Sequence, residues 1–181
     1  TSPHLKDFRE RIKINGVMAP ESFVVDFIAQ HQDFIESQQL SFFELTVGMA
    51  LEYFAQQQVD IAVIEVGLGG RLDATNIITP EVSLITNIGW DHMDLLGHTL
   101  PEIAAEKAGI IKPGVPVVIS QTQEEVQEVL FTRANQLHAP ITFADQKGYP
   151  AYTCDLKGSY QKKNIQGVLG VLDQLSQDWG I

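Results

Sequence analysis

Apolar positions along this chain follow two rhythms, and the change falls near residue 60. Up to that point the spacing is helical. Phe23, Val24, Phe27, Ile28, Phe34 and Ile35 form one stripe after Pro20-Glu21-Ser22, a helix-opening sequence. A second predicted helix runs from about 43 to 57, with Val47, Ala50, Leu51 and Phe54 on one side. Residues 1–19 carry mixed charge and the turn signal Asn15-Gly16, so they read as loop or irregular structure. Beyond residue 60 the apolar residues come in short, nearly unbroken runs. These are Ile61–Val66, Val82–Thr86, Val115–Ile119 and, more weakly, Pro140–Phe143. Runs without alternation predict strands covered on both faces, as in a parallel sheet. Helical stretches separate the later runs, at 101–111 and at 122–138. The second of these opens with Thr122-x-x-Glu125, a capping-box pattern. Ser159–Trp179 reads as a closing helix. Strands alternating with helices predict an α/β fold, three-layered, with a mostly parallel sheet flanked by helices. No repeat and no linker interrupts the chain, which predicts one domain.

Composition narrows the function classes. The 181 residues include 12 Lys+Arg against 23 Asp+Glu, a formal net charge of −11, and are 44% hydrophobic. That apolar content supports a packed core and excludes intrinsic disorder. The acidity argues against a nucleic-acid surface and against docking on anionic membranes. No run approaches the roughly 20 apolar residues that span a bilayer. The lone Cys154 excludes an internal disulfide scaffold and fits a reducing, cytoplasmic setting.

In an open α/β sheet, ligands bind beyond the carboxyl ends of the strands, which selects three loops. The loop after Ile119 is explained by helix capping. The loop after Val66 reads Gly67-Leu68-Gly69-Gly70-Arg71-Leu72-Asp73-Ala74-Thr75-Asn76. It is no dinucleotide fingerprint, because the third glycine would fall at position 72, where Leu72 stands. Glu65, inside the apolar run before it, either turns to solvent or pairs with a cation. The cost of burying an unpaired carboxylate favours the cation. The loop after Thr86 carries Asp91, His92 and Asp94. His92 suits a structural hydrogen bond, a base or a metal ligand. A Glu/His oxygen–nitrogen set with room for water suits Mg²⁺ or Mn²⁺, and no zinc pattern is present. Lys107 in Glu106-Lys107-Ala108-Gly109 reads by spacing as a solvated lysine paired with a neighbouring glutamate. The chain contains neither G-x-x-x-x-G-K-[ST] nor G-x-S-x-G.

Five segments resemble a known family. They are Glu65-Val66-Gly67-Leu68-Gly69-Gly70-Arg71-Leu72-Asp73-Ala74-Thr75-Asn76, Asn87-Ile88-Gly89-Trp90-Asp91-His92 with Ile103 to Lys112, Thr1-Ser2-Pro3-His4-Leu5 with Glu10-Arg11-Ile12, Ser41-Phe42-Phe43-Glu44, and Ser159-Tyr160-Gln161-x-x-Asn164. Together they resemble the folylpolyglutamate synthase/dihydrofolate synthase family of the Mur ligase superfamily, over nearly the whole chain.

The resemblance implies a P-loop NTPase-like central domain. It implies an ATP-dependent ligase that activates a carboxylate as an acyl phosphate and lets an amine attack. The substrates would be L-glutamate with a folate or with dihydropteroate. By the same resemblance, Ser2, Glu65 and His92 are magnesium ligands, and Lys107 is a carbamylated lysine placing a second ion. His92, Glu65 and Lys107 are then the catalytic set. Ser41, Phe42, Phe43, Glu44, Leu72, Asp73 and Ala74 are pterin-binding positions, and Asn164 is an ATP contact. Carbamylation needs a neutral amine first. The resemblance further implies a P-loop strand before Thr1 and a glutamate-binding domain after Ile181, so that residues 1–181 are an incomplete central domain, inactive alone. The parent is expected to be a monomer, and the piece to self-associate. Two rivals remain: a Mur ligase acting on a cell-wall precursor, and a non-catalytic α/β binding fragment.

Overall fold

A computed structural model describes residues 3–179, apart from the side chains of residues 177 and 178. The chain divides into two compact units: residues up to 68 together with Asp73–Ile77, and Gly69–Leu72 together with everything from 78 onward.

In the first unit, a 3-10 turn at Phe8–Arg11 is opened by Asp7, whose carboxylate accepts the Arg9 amide. Glu10 reaches back to accept the amides of Leu5, Lys6 and Asp7 at 2.9–3.0 Å. Those hydrogen bonds hold its carboxyl below the usual range. A small antiparallel hairpin follows, β1 (Lys13–Ile14) and β2 (Val17–Met18). Its turn is Asn15-Gly16, with φ of 50° and 83°, positive at both positions as a tight two-residue hairpin turn requires. The turn was legible in the sequence; the hairpin was not. Helix α1 (Glu21–Gln38) ends at Gln39 in the left-handed conformation, and α2 spans Phe42–Gln56. Ile12, Ala19, Phe27 and Met49 form the buried cluster, with Phe8, Phe23, Val24 and Tyr53 packed against it. The Phe23 and Tyr53 rings lie 4.7 Å apart, and His31 Nε2 meets Glu52 Oε2 at 3.0 Å between the two helices. The predicted stripe on α1 is only partly buried, since Ile28 and Phe34 are exposed.

The second unit holds a parallel sheet of order β3 (Ser83–Ile85), β4 (Val117–Ile119) and β5 (Ile141–Phe143). The central strand is the most deeply buried, with Val117 and Val118 at 0% exposure and Ile119 at 1%. Helices accompany the sheet: α3 (Met93–Leu96), α4 (Leu100–Lys107), α5 (Glu124–Gln136) and α6 (Gln161–Trp179), with α6 packed on β3 and β4, α4 on α5, and α3 on α4. This is the α/β, parallel-sheet class expected from the apolar runs. α4 opens with a capping box in which Thr99 Oγ1 accepts the Glu102 amide and Glu102 accepts the Thr99 amide. The same carboxylate takes the His98 amide at 2.7 Å, and these bonds lower its pKa. α6 sits close because Gly167 and Gly170 face the sheet. A Cβ on Gly170 would lie 2.8 Å from Val118, and one on Gly167 would collide with Ser120. Tyr149 donates to Asp173 of α6 at 2.5 Å. Burial and that carboxylate push the phenol up to about 12, so it remains a donor at neutral pH.

Two expectations fail. Ile61–Val66 forms no strand and pairs with none among the described residues, and Val63 is 90% exposed. With no ladder partner the run has no flanking strands to bury it, whatever its composition. The Thr122 capping box also does not form. The N-cap of α5 is Gln123, which makes no side-chain cap. Thr122 turns instead to Asp145, which accepts both its amide and its hydroxyl at 2.8 and 2.7 Å.

Candidate functional site

In the second unit, the loops after β3 and β4 leave adjacent parallel strands at the same edge. The Ser120 amide donates to the Ile85 carbonyl at 3.0 Å and ties their bases together. Three residues on, the Gln123 side chain grips the main chain of Ile88. Ile88 N donates to Gln123 Oε1 at 2.7 Å, and Gln123 Nε2 donates to the Ile88 carbonyl at 2.8 Å. His92 closes this loop in the left-handed conformation, φ 45° and ψ 44°. Its carbonyl accepts the amides of Leu95 and Leu96, both at 2.9 Å. The imidazole is exposed, with Nε2 3.4 Å from Asp91 Oδ1.

Lys107 is the last residue of α4 and half-buried. The expected pairing with a neighbouring glutamate does not form, because Glu106 is taken by Arg71. The Arg71 amide donates to the Glu106 carbonyl at 2.9 Å, and its guanidinium meets the Glu106 carboxylate at 3.0 Å. This close approach is why the loop needs glycine. A Cβ on Gly70 would lie 2.9–3.0 Å from the Glu106 and Lys107 carbonyls, and one on Gly109 would strike the Arg71 backbone. The glycine-rich segment therefore braces the turn that carries Lys107.

In the first unit, Ser41 and Glu44 form the capping box of α2. Ser41 Oγ accepts the Glu44 amide at 3.2 Å, and Glu44 Oε2 accepts the Ser41 amide at 2.8 Å. The serine hydroxyl and amide hold the Glu44 carboxyl below its ordinary pKa. Phe43 packs on Gly67 so tightly that a Cβ there would enter its ring. Phe42 is exposed, edge-on to Phe8 and 5.7 Å from the Arg11 guanidinium. Asp73 is a hub: it accepts the amides of Gly67, Leu68 and Thr75 and the Thr75 hydroxyl. Ala74 starts a 3-10 turn, Ala74–Ile77, and Leu72 is 79% exposed. Glu65 is exposed too. The desolvation argument for a cation partner fails with the strand that was to bury it.

Asn164 lies in the first turn of α6, half-buried, donating to Gln161 Oε1 at 3.1 Å. Ser2 lies outside the described residues. Among the described residues no three His, Cys, Asp or Glu side chains gather as a metal cage, and no helix is long and apolar enough to cross a membrane. Sequence reasoning missed Gln123, the Arg71–Glu106 clamp and Asp145. The available signal for Gln123 was its position directly before a helix, where Ser, Thr, Asp or Asn is the usual choice.

Residues 14–172 match the Mur ligase middle domain. The chain belongs to that family. Among its relatives, the dihydrofolate synthase/folylpolyglutamate synthase of Bacillus subtilis (strain 168) is 41% identical over 148 residues, covering 78% of this chain and 34% of that protein. The folylpolyglutamate synthase of Lacticaseibacillus casei is 46% identical, covering 91% of this chain and 45% of its own length. A solved FPGS–AMPPCP–folate complex superposes with a TM-score of 0.88 at 32% identity, over 98% of this chain and 50% of that one. The chain thus spans a third to a half of these Mur ligase relatives.

Proposed function

We propose that this chain is part of the central domain of an ATP-dependent ligase that adds L-glutamate to a folate, to dihydropteroate, or to both. The observation that carries this reading is the likeness to the complex holding AMPPCP and folate, a protein sharing this fold over 98% of the chain. The chemistry is an amide synthesis: the carboxyl substrate takes the γ-phosphoryl group of ATP, then glutamate's amine displaces phosphate.

The residues fit the cofactors such a ligase needs. Magnesium at a nucleotide site needs only one or two carboxylates, with phosphate and water filling much of its shell. A three-carboxylate cage is therefore not required, and Glu65 and His92, both exposed, suit the role; the resemblance adds Ser2 as a further ligand. Lys107, once carbamylated, would supply a further anionic oxygen. Bound Mg²⁺ would neutralise charge on the transferring phosphoryl group. Asn164 would contact the nucleotide.

The pterin would meet Phe42 and Phe43, whose rings offer stacking faces. Ser41 and Glu44 serve by fixing the helix start that presents those rings. Asp73 shapes its loop, and Leu72 offers exposed apolar surface next to it.

The test is ADP release by the full-length protein with dihydropteroate or tetrahydrofolate and glutamate. Wild type should turn over, and Glu65→Ala and His92→Ala should each abolish turnover. Absence of turnover in wild type overturns the function; retained turnover in both variants overturns the residue roles.

A further inference from the structure

We infer that Gln123 is a positioning residue for His92, acting through the main chain of Ile88; this rests on the reading of His92 as a metal ligand. Ile88 is 3% exposed, so water cannot readily satisfy its amide and carbonyl, and buried main-chain groups need partners. Gln123 supplies both at once, at 2.7 and 2.8 Å. Only an amide side chain has a donor and an acceptor side by side for this; a carboxylate would set an oxygen against the Ile88 carbonyl.

Gln123 is itself immobilised. Its carbonyl accepts the Val126 and Gln127 amides of α5 at 3.1 and 2.9 Å. The preceding Thr122 is tied twice to Asp145. The loop after β3 is therefore held at its base by Ser120 on Ile85, at its middle by Gln123, and at its end by the His92 turn. Only Gly89, Trp90 and Asp91 lie between the second anchor and His92. Release of Ile88 would free the segment that aims the imidazole.

The experiment uses full-length protein with labelled histidine, titrated with Mn²⁺·ATP. The His92 ring resonance is identified by its loss in His92→Ala. In wild type, paramagnetic broadening of this resonance is expected. Gln123→Ala should need about tenfold more Mn²⁺·ATP for the same broadening, the scale of two lost hydrogen bonds, and the near-isosteric Gln123→Glu, which keeps the acceptor for the Ile88 amide but sets an oxygen against the Ile88 carbonyl, should shift in the same direction. Exchange of the Ile88 amide should quicken by about tenfold or more, with the β4 amides unchanged as a control for folding. Faster Ile88 exchange with an unshifted His92 midpoint would mean a purely structural clamp and overturn the inference, as would unchanged Ile88 exchange. A wild-type His92 that Mn²⁺·ATP does not broaden sinks the ligand reading itself and this inference with it.

Discussion

Val115–Ile119 and Ile61–Val66 are near twins in sequence and opposites in structure. Both are short, almost unbroken apolar runs leading to a polar loop. One supplies β4, the middle of a three-stranded parallel sheet, with its side chains at 0–1% exposure. The other pairs with no strand among the described residues and leaves Val63 90% exposed. Apolar composition makes a strand possible. Burial follows when a neighbouring strand takes up the main-chain hydrogen bonds and helices cover the faces, as at the edge strand β3, where Ile85 is 4% exposed. β4 has β3 on one side and β5 on the other, with α6 laid on it through two glycines.

Mutations can test that contrast directly. The largest effect should come from Ile119→Ala. Removing three buried carbons from a fully packed site costs about 2–5 kcal/mol, read as a drop in the urea midpoint at constant m-value. Next comes Gly167→Ala. An exposed helix would gain about 1 kcal/mol from this change. Here the new methyl meets Ser120, so a net loss of about 1–3 kcal/mol is expected instead. The Ser120 hydroxyl is buried and has no hydrogen-bond partner, so Ser120→Gly should recover much of that loss in the double variant. A Gly167→Ala protein as stable as wild type would show that β4 is less tightly covered than the structure indicates. The smallest effect belongs to Val63→Thr, within about 0.5 kcal/mol of wild type. A loss at Val63 matching that at Ile119 would erase the distinction between the two runs.

The fold was legible where local spacing decides the outcome. The α1 and α2 stripes, the Asn15-Gly16 turn, three of the four apolar runs and the closing helix all appear near their predicted bounds. Glycine at 70 and 109 could be noticed in the sequence, but its reason could not, because it lies in the approach of two segments far apart in the chain. The candidate site was legible only as residue types. His92 stood out by its loop, and Lys107 by resemblance. Glu65 stood out for a reason that fails: it was expected to be desolvated, and it is exposed. Thr122 followed a capping pattern, yet Asp145, 23 residues away, offers it two hydrogen bonds.

By itself the sequence determined the α/β class, the helix positions and the membership that its motifs announce, since these depend on residues a few positions apart. Tertiary structure alone decided which apolar run became a central strand. It also set Arg71 on Glu106 and Gln123 on Ile88, each across 35 residues. A hydrogen bond of that span has no local periodicity to betray it. It exists only once the sheet and helices have brought its two ends together.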